Sequence, residues 1–376
     1  MFPLASRVLR PGMIALIAFS LLSGMVGGLL RAGVPVFQAI PSEWIMTTAS
    51  LHAALMICGF LGTVIGIERA VALHAPWAFL APISSALGGL LLVTGHTNAG
   101  LWLFMLAAAV FLLVNVFIIG KQSAIHTYLL LLSALLWLGG NLRFMHHGLH
   151  NATLTAWFAY LVVTIAAERL EMARLTRPHA WSRPLLGTAL TIVLAGTLLT
   201  EWRDDIGCVL FGAGLLALAL WLMRFDIARH TIKAEGLSRY MAVCLLSGYV
   251  WLGVSGLCWM ALGLGQSTRD AALHALALGF IMSMVMGHAP VILPAVARVK
   301  LHVDARFYLP LLLLHLSLFM RLALGHGDAS WQARGSALNA LAIVVFALTV
   351  ISAIWSWHRR HPDQALGTRR RNRSRN

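Results

Sequence analysis

The sequence predicts an all-α membrane protein, a polytopic bundle of about twelve transmembrane helices. Two observations carry this prediction. First, 59% of the 376 residues are hydrophobic and only 11% are charged, whereas a soluble domain carries about 25% charged residues. Second, the apolar residues form repeated runs of about twenty, the length that a helix needs to cross a hydrocarbon core of roughly 30 Å.

Turn and charge signals separate the runs into twelve predicted spans. The first run is long enough to cross the membrane and lacks a small-residue cleavage site, so we predict a retained span rather than a signal peptide. The short connections predict one transmembrane domain over residues 1–358, followed by a basic, disordered tail over residues 359–376. The predicted spans are 12–31, 46–67, 78–95, 99–119, 125–142, 154–172, 184–200, 207–223, 239–263, 271–297, 307–324 and 336–357.

The distribution of Lys and Arg predicts the orientation of the bundle. With the N-terminus in the cytoplasm, 22 of the 28 basic residues lie on the cytoplasmic side, as the positive-inside rule requires. We therefore expect a multi-pass membrane protein with both termini in the cytoplasm. The basic residues of the C-terminal tail favour contact with anionic membrane lipid over binding to nucleic acid.

Spans two, six and ten carry related sequences. Span two contains Leu-His-Ala-Ala-Leu at 51–55 and Gly-Phe at 59–60, and span ten contains Leu-His-Ala-Leu at 273–276 and Gly-Phe at 279–280. Span six lacks the histidine but ends in Glu-Arg, as span two does. This spacing predicts three repeats of four helices. The alternative is that apolar helices resemble one another by composition alone.

His52 and His274 are the leading candidates for a functional site. Each lies one or two turns inside the extracytoplasmic end of its span, so both are predicted at a similar depth. Ionisable residues inside a bilayer are costly and usually mark a pathway or a cofactor. Two neutral imidazoles that face each other could supply both axial ligands of a haem iron, most simply of b type. The alternative is that each histidine hydrogen-bonds to a neighbouring helix.

Two further groups of histidines could bind a metal. His288 follows His274 by 14 residues, which on a regular helix returns to nearly the same face about 21 Å further along. With His315 of span eleven as its partner, it could hold a second haem or copper; packing and a proton path are the alternatives. The cluster His146, His147 and His150 after span five could share copper or zinc, or could be a solvated interfacial cluster.

These features together resemble two related groups of proteins. Twelve spans, a four-helix repeat and histidines on spans two and ten are similar to subunit I of the haem–copper oxidases and nitric oxide reductases. More closely, the segments LHAALMICGFLGTVIGIERAVAL and LHALALGFIMSMVMGHAPVILPAVARVKL resemble the NnrS-like membrane proteins, which contain haem and copper and are linked to nitric oxide. The resemblance implies that His52 and His274 are axial haem ligands and that His288 is a second-site ligand.

The predicted function follows from this resemblance. We expect an integral membrane haem protein that transfers electrons or binds and metabolises nitric oxide, with a quinol or a cytochrome as electron donor. If the protein is an enzyme, we expect an oxidoreductase acting on nitric oxide or a related small molecule. No span carries the adjacent histidine pair of an oxidase copper centre, so an oxygen-reducing site is not predicted. A transporter that uses the intramembrane histidines, and an assembly or stress factor for haem or copper, are the alternatives.

Overall fold

The protein is an all-α bundle, as predicted. The computed structural model describes residues 5–34, 42–172, 179–297 and 299–361. Within these ranges it contains twelve helices that are long and apolar enough to cross a membrane, and no strand. The membrane-spanning helices are α1 Gly12–Arg31, α2 Met46–Leu73, α3 Pro76–Val93, α4 Thr97–Lys121, α5 Ile125–His147, α6 Asn151–Met172, α7 Ser182–Leu199, α8 Asp204–Phe225, α9 Gly236–Gly263, α10 Arg269–Pro294, α11 Ala305–Leu324 and α12 Ala329–Arg360.

Contacts between helix ends define two faces of the bundle. Lys121 at the end of α4 donates from Nζ to the carbonyl oxygen of Leu73 at the end of α2, at 2.9 Å. Arg143 near the end of α5 pairs with Glu201 just after α7, also at 2.9 Å. Even-numbered helices therefore end at one face, which we call the basic face because Arg69, Lys121 and Arg169 lie there. Odd-numbered helices end at the opposite face.

The last helix extends further than its sequence predicts. Arg359 and Arg360 form the end of α12, so the helix runs past the predicted start of the tail. The guanidinium group of Arg359 lies over the ring of Trp355, at 4.4 Å from the ring centre, and cations are favoured in the last turn of a helix by its macrodipole. The remainder of the predicted tail, residues 362–376, lies outside the described residues.

Helices α2, α6 and α10 form the centre of the bundle. Within the most apolar 18 residues of each span, 83% are buried in α6 and 61% in both α2 and α10, against at most 56% in any other span. In addition, α10 contacts both α2 and α6. A helix that is apolar on all sides is expected to be surrounded by other helices. Central helices at intervals of four are the arrangement expected of the predicted four-helix repeat.

The two histidine-bearing helices share an irregular segment. Residues Leu55–Gly62 of α2 and Ala275–Met282 of α10 are π-helical, and each segment has Gly-Phe at its fifth and sixth positions. The glycine of the second segment, Gly279, is required by packing, because a Cβ atom there would lie 2.4 Å from Cβ of Trp251. π-helical turns occur frequently at functional sites. The first segment begins within one turn after His52 and the second at the residue after His274; α11 has a further π-helical segment, Met320–Leu324.

Candidate functional site

The imidazole rings of His52 and His274 face each other across a cleft in the bundle. Their ring centres are 6.3 Å apart and their planes differ by 22°. A metal ion bonds an imidazole nitrogen at about 2.0 Å, and that nitrogen lies roughly 1 Å from the ring centre, so rings on opposite sides of one ion have centres about 6 Å apart. The observed separation of the ring centres matches this distance.

Hydrogen bonds fix the tautomer of both rings. Nδ1 of His52 lies 2.7 Å from the carbonyl oxygen of Gly24 on α1, and Nδ1 of His274 lies 3.0 Å from the carbonyl oxygen of Asp270. A carbonyl oxygen can only accept, so each Nδ1 carries the hydrogen and donates it. The lone pair of each neutral ring is then on Nε2. Metal-binding histidines usually have this arrangement, in which the second nitrogen is held by a carbonyl or carboxylate group.

His274 is held by an additional carboxylate. The side chain of Asp270, one turn earlier on α10, lies 3.0 Å from the same Nδ1 atom. Arg321 of α11 in turn donates to both oxygens of this carboxylate, from Nε at 3.0 Å and from Nη2 at 2.7 Å. Such a chain fixes the orientation of an imidazole. His52 has no equivalent carboxylate among its contacts in the described residues, so the two rings are held unequally.

Helix α1 approaches His52 closely at one glycine. A Cβ atom at Gly28 would lie 2.8 Å from Cε1 and 3.0 Å from Nδ1 of the His52 ring. Real Cβ contacts are essentially never this short, so any larger residue at this position would displace the ring. Gly28 therefore sets the orientation of the His52 imidazole together with the carbonyl group of Gly24.

The cleft between the two rings is apolar but narrow. Its volume is about 120 Å³, whereas sites for larger organic ligands begin near 300 Å³. The separation of the two rings suits a haem iron. The porphyrin macrocycle, however, would enter the cleft only if lining side chains moved. Methionine is flexible and adapts to irregular space, which makes Met25 and Met56 the residues best able to give way. The other lining residues come from α1, α2, α6, α10, α11 and α12 and include Ala53, Phe158, Ala277, Asn339 and Ile343.

His288 and His315 make different contacts. Nε2 of His288 accepts a hydrogen bond from Nη2 of Arg169 on α6 at 2.8 Å, and its Nδ1 donates to the carbonyl oxygen of Met284 at 2.7 Å. Nδ1 of His315 accepts from Nε1 of Trp251 on α9 at 3.0 Å, and its Nε2 lies 2.9 Å from the hydroxyl group of Ser247. Both nitrogens of each ring are engaged within the protein, and these contacts do not bring the two rings to a common site.

The fourteen-residue phase argument for His288 does not apply. It assumed a regular α-helix between His274 and His288, but the intervening segment Ala275–Met282 is π-helical. A π-helical turn takes more residues than an α-helical turn, so the side chain of His288 is rotated relative to the predicted face. The helix continues through Pro290 and Pro294 to Ala297.

A comparison with known proteins places the chain in one family. A family model described as a domain of unknown function (DUF8744) matches residues 9–355. The chain belongs to this family. No curated protein and no solved structure matches it. The description of the family assigns no activity, so the function of this member has to be argued from its site.

The predicted histidine cluster at the end of α5 lies at the face of the bundle opposite the basic face. His146, His147 and His150 are exposed, and the first two rings have centres 6.3 Å apart with planes inclined by 52°. His147 and His150 line a cavity of about 640 Å³ together with Arg143, Glu201 and Asp204. Throughout the described ranges, no group of three or more His, Cys, Asp or Glu residues is arranged to hold a metal ion. Copper or zinc at this cluster therefore lacks a complete set of protein ligands.

Sequence reasoning missed the groups that position the two rings. Asp270 could have been noticed, because an aspartate four residues before a histidine on a helix can reach its ring. Arg321 gave no signal, because its pairing with Asp270 joins residues 51 positions apart. Gly24 and Gly28 gave no signal, because neither contributes a side chain.

Proposed function

We propose that the protein is an integral membrane haem protein in which His52 and His274 are the two axial ligands of one iron, and that it transfers electrons. The observation that carries this proposal is the geometry of the two rings. They are separated by 6.3 Å, and their Nδ1 atoms both donate to carbonyl groups, which leaves both Nε2 lone pairs for a ligand between them. A haem iron with two imidazole ligands is six-coordinate and exchanges single electrons.

The unequal support of the two rings suggests how a gas could bind. Nitric oxide would need a vacant coordination position, so one imidazole would have to leave. His52 is held through one carbonyl group, whereas His274 is held through a carbonyl group and the Asp270–Arg321 pair. We propose that His52 is the ligand that would dissociate. In that case the protein would bind nitric oxide, as its resemblance to the NnrS-like proteins implies, and if it turns nitric oxide over it would be an oxidoreductase supplied by a quinol or a cytochrome.

The narrow cleft favours a second candidate function. A single copper ion between two imidazoles needs no more room than the cleft of about 120 Å³ already provides, and imidazole is a good ligand for copper. The protein would then hold copper as an assembly or stress factor. In either case we propose a location in the bacterial inner membrane with the basic face in the cytoplasm, as the positive-inside rule predicts.

Visible spectra and metal analysis test the proposal. The full-length protein is purified in detergent, its oxidised and dithionite-reduced spectra are recorded, and haem, iron and copper are quantified by pyridine haemochrome and elemental analysis. We expect about one haem per chain, lost in His52→Ala and in His274→Ala and retained in the intramembrane control His315→Ala, with folding checked by size exclusion. Stoichiometric copper without haem would favour the second candidate. A colourless, metal-free protein would overturn both.

A further inference from the structure

A second buried network joins the three central helices near the basic face. Helices α2 and α6 both carry a Glu-Arg pair there, and Arg69 donates from Nη2 to the carboxylates of Glu68 and Glu168. Arg169, next to Glu168, donates to His288 of α10. Arg69 and Glu168 are 99 residues apart in the sequence, and Arg169 and His288 are 119 residues apart. Each contact therefore connects parts of the chain that are remote in sequence.

Asp226, just after α8, supplies a third carboxylate to this network. It is buried, and Oδ1 accepts a hydrogen bond from the backbone nitrogen of Ala228 at 2.7 Å. Arg169 and the hydroxyl group of Tyr249 on α9 lie close to its carboxylate. Burial raises the pKa of Asp226, against the opposing effect of Arg169. A carboxyl group with a raised pKa retains its proton at a pH where an exposed aspartate has lost it.

Within the described residues, the charges of the network do not balance. Three carboxylates, those of Glu68, Glu168 and Asp226, face two guanidinium groups, those of Arg69 and Arg169. An uncompensated charge in a low-dielectric interior is costly and is usually removed by protonation or by a bound ion. Glu171 adds a further carboxylate at the edge of the network, but it is 42% exposed and lies 3.7 Å from Nε2 of His126. Among these described groups, one negative charge is therefore left without a cationic partner.

The network also contains an unusual concentration of unpartnered polar atoms. Ten buried side-chain nitrogen or oxygen atoms in the described part of the chain have no hydrogen-bond partner within the protein, and five of them lie here. Buried polar atoms are nearly always paired, and where the protein supplies no partner an ordered water does. The five atoms are Nε of Arg69, Nε of Arg169, Oδ2 of Asp226 and the hydroxyl groups of Tyr160 and Tyr249. Of these, the Tyr249 hydroxyl group and the Asp226 carboxylate lie next to each other and interact directly.

We propose that Glu68, Glu168 and Asp226, with the two arginines between them, form a water-filled site that binds one proton from the basic face. The entrance lies at the side chains of Glu68 and Glu168, which are 30% and 26% exposed. The inner end is the fully buried Tyr160, which precedes Glu168 by eight residues and so lies about 12 Å deeper along α6. Its hydroxyl group has no hydrogen-bond partner within the described residues, as a water-linked endpoint requires.

A metal cation fits this network less well than a proton. Cations such as Ca²⁺ and Na⁺ prefer a shell of several oxygen ligands, but here Arg69 already occupies the carboxylates of Glu68 and Glu168. Among the described residues, no three acidic, histidine or cysteine side chains are arranged around a common point. A proton needs only one carboxylate oxygen and is compatible with the arginine contacts.

Infrared spectroscopy of the purified full-length protein tests this proposal without reference to any cofactor. At pH 7 we expect a C=O stretching band of a protonated carboxyl group, which shifts in D₂O and disappears at high pH. The substitutions are Glu68→Gln, Glu168→Gln and Asp226→Asn, each nearly isosteric. The control is Asp304→Asn, because Asp304 also lies at the basic face but pairs with Arg306 at 2.7 Å, and this pairing lowers the pKa of Asp304.

The expected result is that at least one of the three substitutions removes the band and that Asp304→Asn retains it. The proposal is overturned if the wild-type protein has no such band at pH 7, or if all three variants that fold retain it unchanged. It is also overturned if Na⁺ raises the melting temperature of the wild-type protein but not of Glu68→Gln, because a cation would then occupy the site. A variant that does not fold is replaced in the comparison by the other two. Failure of the haem proposal would leave these results unaffected.

Discussion

Two pairs of intramembrane histidines differ in what remains of their hydrogen-bonding capacity. In His52 and His274, one nitrogen of each ring donates to a carbonyl group, and these contacts leave the other nitrogen unused. In His288 and His315, both nitrogens are engaged with side chains or backbone of the protein. Both pairs lie at membrane depth, so depth alone does not identify a ligand. The two proposed ligands are distinguished instead by the nitrogen lone pair that the protein leaves unused.

The largest expected effect is on the cofactor itself. Because His52 has one anchoring contact and His274 has several, a His52→Gly variant should lose its bound haem but keep the shape of the site on the His274 side. We expect that added imidazole restores the spectrum of this variant, while it does not restore that of His274→Gly. Titration with imidazole, followed in the Soret region, measures the difference. Equal rescue of both variants would show that the two rings are supported equally.

The second prediction concerns the carboxylate behind His274. Replacing Asp270 by Asn removes a negative charge from the donor hydrogen bond, and loss of such partners typically lowers metal affinity about 10–100-fold. We also expect a higher reduction potential, since the carboxylate stabilises the oxidised, more positive state. Potentiometric titration and haem dissociation rates measure both effects.

Asp328→Asn is the matched control for this substitution. Asp328 also lies at the opposite face, where it caps α12 by accepting from the backbone of Ser330 and Trp331, and Asn is an equally good N-cap residue. Its potential should equal that of the wild type. An unchanged reduction potential in Asp270→Asn would show that this carboxylate does not influence the cofactor.

The third prediction tests the approach of α1 to His52. A methyl group at Gly28 would lie 2.8 Å from the ring, so Gly28→Ala should displace the imidazole and lower the haem content of the purified protein. Gly139→Ala on α5 is the control, because a Cβ atom there meets nothing within 4 Å and alanine favours a helix over glycine by about 1 kcal/mol. Haem content and thermal stability are compared in the two variants. A fully loaded Gly28→Ala protein would contradict the close packing.

The smallest expected effect is that of His315. Its replacement by Ala removes the interhelical hydrogen bonds to Nε1 of Trp251 and to the hydroxyl group of Ser247, and such bonds in membranes contribute about 1 kcal/mol each. We expect a slightly lower melting temperature in detergent and an unchanged haem content per chain. Loss of one haem equivalent in this variant would instead support the second cofactor site predicted from the sequence.

The sequence was sufficient for the helical bundle and for the pair His52 and His274. The spans follow from hydropathy, and the pair follows from two similar motifs that enter the membrane from the same side. The hydrogen-bond partners of these rings could not be predicted, because every residue has a backbone carbonyl group and the residue type of Gly24 does not indicate that its carbonyl group is used. The orientation of His288 could not be predicted either, since a π-helical segment rotates the remainder of α10 without a distinctive composition. Arg321 and Asp270 meet across two helices, which only tertiary packing determines.

The central claim is that two imidazoles share one iron, and electron paramagnetic resonance of the oxidised full-length protein tests it most directly. We predict the spectrum of low-spin ferric haem, with hyperfine coupling to two axial imidazole nitrogens that is lost when either His52 or His274 is replaced. A copper signal, a high-spin iron signal unaffected by these substitutions, or no metal signal would contradict it.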